Sequence, residues 1–161
     1  YKDYIPKSLK ASSEQMNAVE TCLKSHISCL IGGAGTGKSF VTAAIIKQLQ
    51  LNGRDVAVLA PTHKAREALQ AKLTECDATV KTVHSFVHSP VECDAIVIDE
   101  SGMLSTTLMA KLMRIYEGQQ LIFVGDKNQL EPVGYGRLGR NRCRQICRAL
   151  RANYRRYLIC S

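Results

Sequence analysis

The run GGAGTGKS at positions 32–39 constrains this chain more than any other feature. It fits the pattern G-x-x-x-x-G-K-[ST]. It stands directly after an apolar run, Ile27 to Ile31, and directly before Val41, Ala44, Ile45 and Leu49 at helical spacing. Strand, glycine loop, helix is the context in which that pattern binds phosphate. Gly33, Ala34, Gly35, Thr36 and Gly37 let backbone amides turn inward around phosphate oxygens, and the positive end of the following helix faces the same point. Lys38 is then placed to reach the β and γ phosphates, and Ser39 to ligate Mg²⁺. A glycine-rich turn with a solvated lysine is the competing reading, and the flanking strand and helix count against it.

The rest of the chain repeats the alternation. Ser12 and Gln15 form a capping box ahead of Met16, Val19 and Leu23, which predicts a helix over 13–24. Asn52 and Gly53 end the helix behind the loop. Val56 to Ala60 is a continuous apolar run closed by Pro61, and Ala65, Ala68, Leu69 and Leu73 stripe the next helix. A short strand is expected near 79–82. AIVIDE (95–100) is a buried strand with two carboxylates at its end. Leu108, Met109, Leu112, Met113 and Tyr116 share one helix face, and QLIFVGD (120–126) is the last strand. Strands alternating with helices predict an α/β fold: a mostly parallel sheet with helices on both faces and ligands at the carboxyl ends of its strands. There Asp99 is placed to hold the water shell of Mg²⁺, and Glu100 to polarise an attacking water.

Length and charge sharpen the domain organisation. A chain of 161 residues suits one buried domain. All 14 acidic residues precede Gly136, whereas eight of the 22 basic residues, all arginines, follow it, so the first 136 residues balance to zero. The expected division is a nucleotide-hydrolysing domain over 1–136 and an arginine-rich tail over 137–161, helical and readable as the end of the same domain. The cysteines at 22, 29, 76, 93, 143, 147 and 160 form neither a CxxC pair nor a zinc-finger spacing with the histidines, which suits a reducing compartment. No apolar run reaches the ~20 residues of a membrane span, and the start lacks a signal-peptide core. The expectation is an intracellular protein, cytoplasmic or nuclear or of viral or phage origin, without a membrane partner. The absence of an initial Met and the abrupt stop at Ile159, Cys160 and Ser161 read as a fragment of a longer chain.

Five further segments stand in a telling order: SSEQMNAV (12–19), VLAPTHKA (58–65), TVHSF (82–86), VIDESGML (97–104) and LIFVGDKNQLEPVG (121–134). With the phosphate loop they resemble the motifs of superfamily 1 DNA helicases, within them the RecD-like and Dda-like group (superfamily 1B). The resemblance implies a RecA-like P-loop NTPase, the first of two motor domains, using ATP and Mg²⁺ and moving 5′ to 3′ along single-stranded DNA. A second RecA-like domain, from the rest of a longer chain or a partner, would complete it. By the same resemblance Gln15 reads the adenine edge, and Thr62, His63 and Lys64 meet the DNA backbone. His84 and Phe86 stack on bases or sugars. Gln129 senses the γ phosphate, while Asp126, Leu130 and Pro132 link that sensor to the DNA groove. Gln15 and Thr62 also read as plain helix caps. LRANYR (150–155) resembles the family's arginine motif, which would make Arg155 the finger that stabilises phosphoryl charge. Two other readings of that segment stay open: an amphipathic helix packing Ile146, Leu150 and Tyr154, and a basic nucleic-acid-binding arm. A P-loop switch and an assembly module that unwinds nothing are the functional alternatives.

Overall fold

A computed structural model describes residues 12–126 of the chain, apart from Ala34 and Glu75. Five strands and five helices follow one another as α1 (Ser13–Lys24), β1 (Ile27–Ile31), α2 (Lys38–Leu51), β2 (Val56–Ala60), α3 (His63–Lys72), β3 (Val80–Thr82), α4 (Val83–His88), β4 (Ala95–Ile98), α5 (Thr106–Arg114) and β5 (Gln120–Gly125). Local chemistry sets their ends. Ser12 Oγ accepts from Gln15 N while the Gln15 side chain accepts from Ser12 N, the reciprocal box anticipated from the sequence. Ser105 caps α5 in the same way, accepting from Leu108 N. Tyr116, expected on the face of that helix, lies beyond its end at Arg114, because the chain turns there through Gly118 at φ 99°. α4 follows β3 without a loop, a helix that the short motif TVHSF did not announce.

The sheet order is β1-β5-β4-β2-β3, and every pairing is parallel. Parallel strands covered on both faces alternate their side chains between two cores. Ile96 and Ile98 of β4 point with Leu121 and Phe123 of β5 toward α4 and α5. Ala95 and Val97 point with Ile122 and Val124 toward α1, α2 and α3. Phe123, Ile45, Leu59 and Leu112 are fully buried, each stabilising the fold by about 1.5–3 kcal/mol of apolar burial.

The order has a consequence at each end of the strands. β5 is inserted between β1 and β4, so Gly32 N donates to Gly125 O at 3.3 Å and the glycine loop stands beside the end of β5. Asp99 N donates to Leu59 O at 2.9 Å, which ties the acidic turn to β2. At the opposite, amino edge, Gln120 is 4% exposed and joins three elements. Its Nε2 donates to Cys22 O and Ser25 O, both at 2.8 Å, closing the end of α1. Its Oε1 accepts from Arg54 Nη1, and Arg54 Nη2 donates to Asp94 O at 3.0 Å. Among the described residues, no helix is long and apolar enough to cross a membrane.

Candidate nucleotide site at the carboxyl edge of the sheet

Glycine at 35 and 37 is required by backbone conformation, since both have left-handed φ of 76° and 80°. Gly37 is also the N-cap of α2, and a Cβ there would run into Gln15 Nε2. Gln15 therefore does two things at once. It closes the capping box of α1 and donates from Nε2 to Thr36 O at 3.2 Å, bracing the loop from the side. Thr36 Oγ1 donates to Gly33 O at 2.9 Å inside the loop, and a Cβ on Gly32 would lie 2.6 Å from that same hydroxyl oxygen. Between α1, β1 and the loop lies a cavity of about 770 Å³, lined by Gln15, Ala18, Leu30, Lys38 and Val41 among others, of a size suited to a small-molecule ligand.

Lys38, the first residue of α2, donates from Nζ to Gly32 O at 2.8 Å and Gly33 O at 2.7 Å. The same ammonium stands 3.5 Å from Asp126 Oδ2 at the end of β5. An ammonium has three donors, and these partners account for them. A bound phosphate would take the place of the loop carbonyls within a short reach.

Two strands along, the turn after β4 carries the acidic pair. Asp99 is partly buried, and that burial raises its pKa above the ordinary carboxylate value against three opposing influences: the Glu100 N–H bond and the charges of Lys72 and Lys38. Glu100 N donates to Asp99 Oδ1 at 2.9 Å. Glu100 itself sits at φ 48°, ψ 37°, the one positive φ among the described non-glycine residues. A left-handed glutamate costs about 1–2 kcal/mol, a strain held in place here by its neighbours. Ser101 supplies the hold: its buried Oγ donates to Val124 O at 2.9 Å and fastens the turn to β5.

Ser39 and Asp99 offer a hydroxyl and a carboxylate, hard oxygen donors of the kind Mg²⁺ takes. Among the described residues no three His, Cys, Asp or Glu side chains come together as a metal cage. A Mg²⁺ ion keeps most of its waters and borrows phosphate oxygens, using one or two protein ligands. One further cation touches this place: Lys72 Nζ, at the end of α3, donates to Ser39 Oγ at 3.5 Å.

The expected nucleic-acid residues follow β2 and β3, which pair through Ala60 and Thr82. Thr62 is exposed and caps α3, accepting from Ala65 N at 3.1 Å, while its hydroxyl proton stays free to donate. His63, Lys64 and His84 are exposed. Phe86 is not: it is 2% exposed and packs in the core with Val83, Leu104 and Leu108. The expectation that Phe86 stacks on a base gives way to a packing role, because α4 turns it inward. Ala34, Gln129, Leu130, Pro132 and Arg155 lie outside the described residues, as does the tail over 137–161.

Sequence reasoning missed Ser101 and Lys72. The first has a faint signal in a serine directly after the acidic pair. The second has none, being one more lysine in the last turn of an exposed helix.

A model of the AAA domain family matches residues 10–151. The chain belongs to the AAA domain family. It is similar to the ATP-dependent RecD2 DNA helicase of Deinococcus radiodurans, at 34% identity over 143 residues, 81% of this chain and 20% of that protein. It is also similar to the RecBCD enzyme subunit RecD of Mycobacterium tuberculosis, at 32% identity over 156 residues, 76% of this chain and 27% of that one. Among solved structures, the Pif1 helicase from Candida albicans matches with a TM-score of 0.55 and 26% identity, over 78% of this chain and 34% of the other. The RecD-like resemblance read from the motifs is borne out, and so is the RecA-like α/β fold. This AAA domain spans only a fifth to about a quarter of the two curated relatives.

Proposed function

We propose that this AAA domain is the first motor domain of an ATP-dependent DNA helicase, coupling hydrolysis to 5′ to 3′ movement on single-stranded DNA. The observation that carries the reading is the shared edge. The loop after β1, the acidic turn after β4 and Asp126 after β5 stand on the same edge as exposed Thr62, His63 and Lys64 after β2. Three strand spacings separate loop from Thr62, roughly 14 Å. Residues 1–136 form the hydrolytic domain in this account, and 137–161 the arginine-rich tail.

Each residue then has one task. Gln15, already against the loop, faces the adenine edge. Lys38 exchanges the Gly32 and Gly33 carbonyls for the β and γ phosphates. Ser39 and Asp99 would hold Mg²⁺, which supplies charge neutralisation on the phosphates when bound. Glu100 accepts a proton from the attacking water. Asp126 stays on Lys38 and, with Leu130 and Pro132, links the γ-phosphate sensor Gln129 to the DNA groove. Arg155, with a second RecA-like domain, completes the charge-stabilising shell. Thr62, His63 and Lys64 meet DNA phosphates at the N-terminus of α3, where helix dipole and lysine charge both favour an anion.

Fluorescence anisotropy with a labelled oligo(dT) tests the nucleic-acid half. Lys64→Ala should weaken binding several-fold and lower the steepness of its salt dependence by about one phosphate contact. Equal affinity and an equal salt slope in the two proteins would remove this edge as the DNA interface.

A further inference from the structure

The mechanism leaves one cation at the metal site without a task. Lys72 closes α3, whose Leu69 is buried, as is Leu73 directly after Lys72, so its backbone is fixed over the sheet while its side chain is exposed. From there its ammonium reaches Ser39 Oγ at 3.5 Å. The same charge acts on Asp99, favouring its ionised form, and does so ahead of Lys38. One ammonium thus bonds an oxygen donor expected to hold the metal, from an element that carries no other part of the nucleotide site.

We infer that Lys72 is a tethered counter-ion that shares Ser39 with the divalent cation and leaves when that cation binds. The inference rests on the phosphate-and-metal reading of the site. A hydroxyl that accepts from an ammonium has committed one lone pair, and a divalent cation on the other would stand within a few ångströms of a like charge. The four-carbon stem of an exposed lysine swings into water at small cost, so displacement is feasible, but it subtracts from metal affinity. Lys72 therefore tunes how much free metal the site requires.

The test is Mn²⁺ binding, followed by the loss of the free-ion electron paramagnetic resonance signal, in the presence of ADP. In Lys72→Met the apparent dissociation constant for Mn²⁺ should fall about threefold, the scale of an exposed charge pair, while Lys72→Arg stays at the wild-type value. ADP affinity in EDTA should not change in either. Lys72→Gln serves as a second neutral variant should the methionine protein fold poorly. Unchanged or weaker Mn²⁺ binding in the neutral variants overturns the inference. Weaker ADP binding in EDTA overturns it too, since Lys72 would then be a phosphate ligand. A wild-type protein that takes up no Mn²⁺ with ADP would instead sink the metal-site reading itself, and this inference with it.

Discussion

The two edges of the sheet are built on opposite terms. At the amino edge the side-chain amide of Gln120 finds partners at both ends, bonding the end of α1 and Arg54, which in turn donates to Asp94 ahead of β4. At the carboxyl edge a carboxylate is desolvated, a glutamate is held at positive φ, and a lysine bonds loop carbonyls that a phosphate can replace. One edge spends polar groups on stability, and the other withholds them for a ligand. Substitutions at the two edges should therefore separate stability from chemistry.

The widest separation is expected at Lys38. Lys38→Ala should cut ATP hydrolysis about a thousandfold, since the phosphate charge loses its main partner, with the urea midpoint little changed. A loss of hydrolysis that merely tracks unfolding would erase the distinction between the edges. Gln120→Ala is the mirror case. It removes the partner of the Cys22 and Ser25 carbonyls and of Arg54 Nη1, and should destabilise the fold by about 3 kcal/mol in urea denaturation. ADP binding by the remaining folded protein should be normal; weakened binding would mean that the amino edge serves the site directly.

Glu100→Gly sharpens the contrast within a single residue. Relief of the left-handed strain should stabilise the chain by about 1 kcal/mol, while hydrolysis is lost with the carboxylate. Destabilisation on this change would show that the glutamate side chain, and not its backbone, secures the turn. The smallest effect is expected at Asp99. Burial keeps the proton on this carboxyl to higher pH in the folded chain than the ordinary value of 3.8. The folded state thus binds more protons there, and stability falls as pH rises from that value through the raised one. Asp99→Asn should flatten this part of the urea-midpoint profile and leave the protein more stable at pH 7. An unchanged profile would place the cost of ionisation elsewhere.

Much of this was legible in the sequence because it follows from short-range rules. The apolar runs gave β1 and β2 to the residue, and the Ser12–Gln15 box gave α1. The glycine pattern located Lys38 and Ser39, and AIVIDE located Asp99 and Glu100. What stayed hidden depends on contacts across the chain. No local pattern shows that Gln120 answers Arg54 and α1, that Ser101 pins the acidic turn to β5, or that Lys72 reaches Ser39 from 33 residues away. Phe86 misled for the same reason: an aromatic beside an exposed histidine reads equally as a stacking platform or a core residue, and only the direction of α4 decides.

The coupling of the two halves of the carboxyl edge is the central claim, and ATP hydrolysis by the 161-residue chain with and without single-stranded DNA tests it most directly. The account predicts a slow basal rate that rises with DNA in the wild-type protein and stays flat in Lys38→Ala. Nucleotide turnover that DNA leaves unchanged, in a protein that binds both ligands, would contradict it.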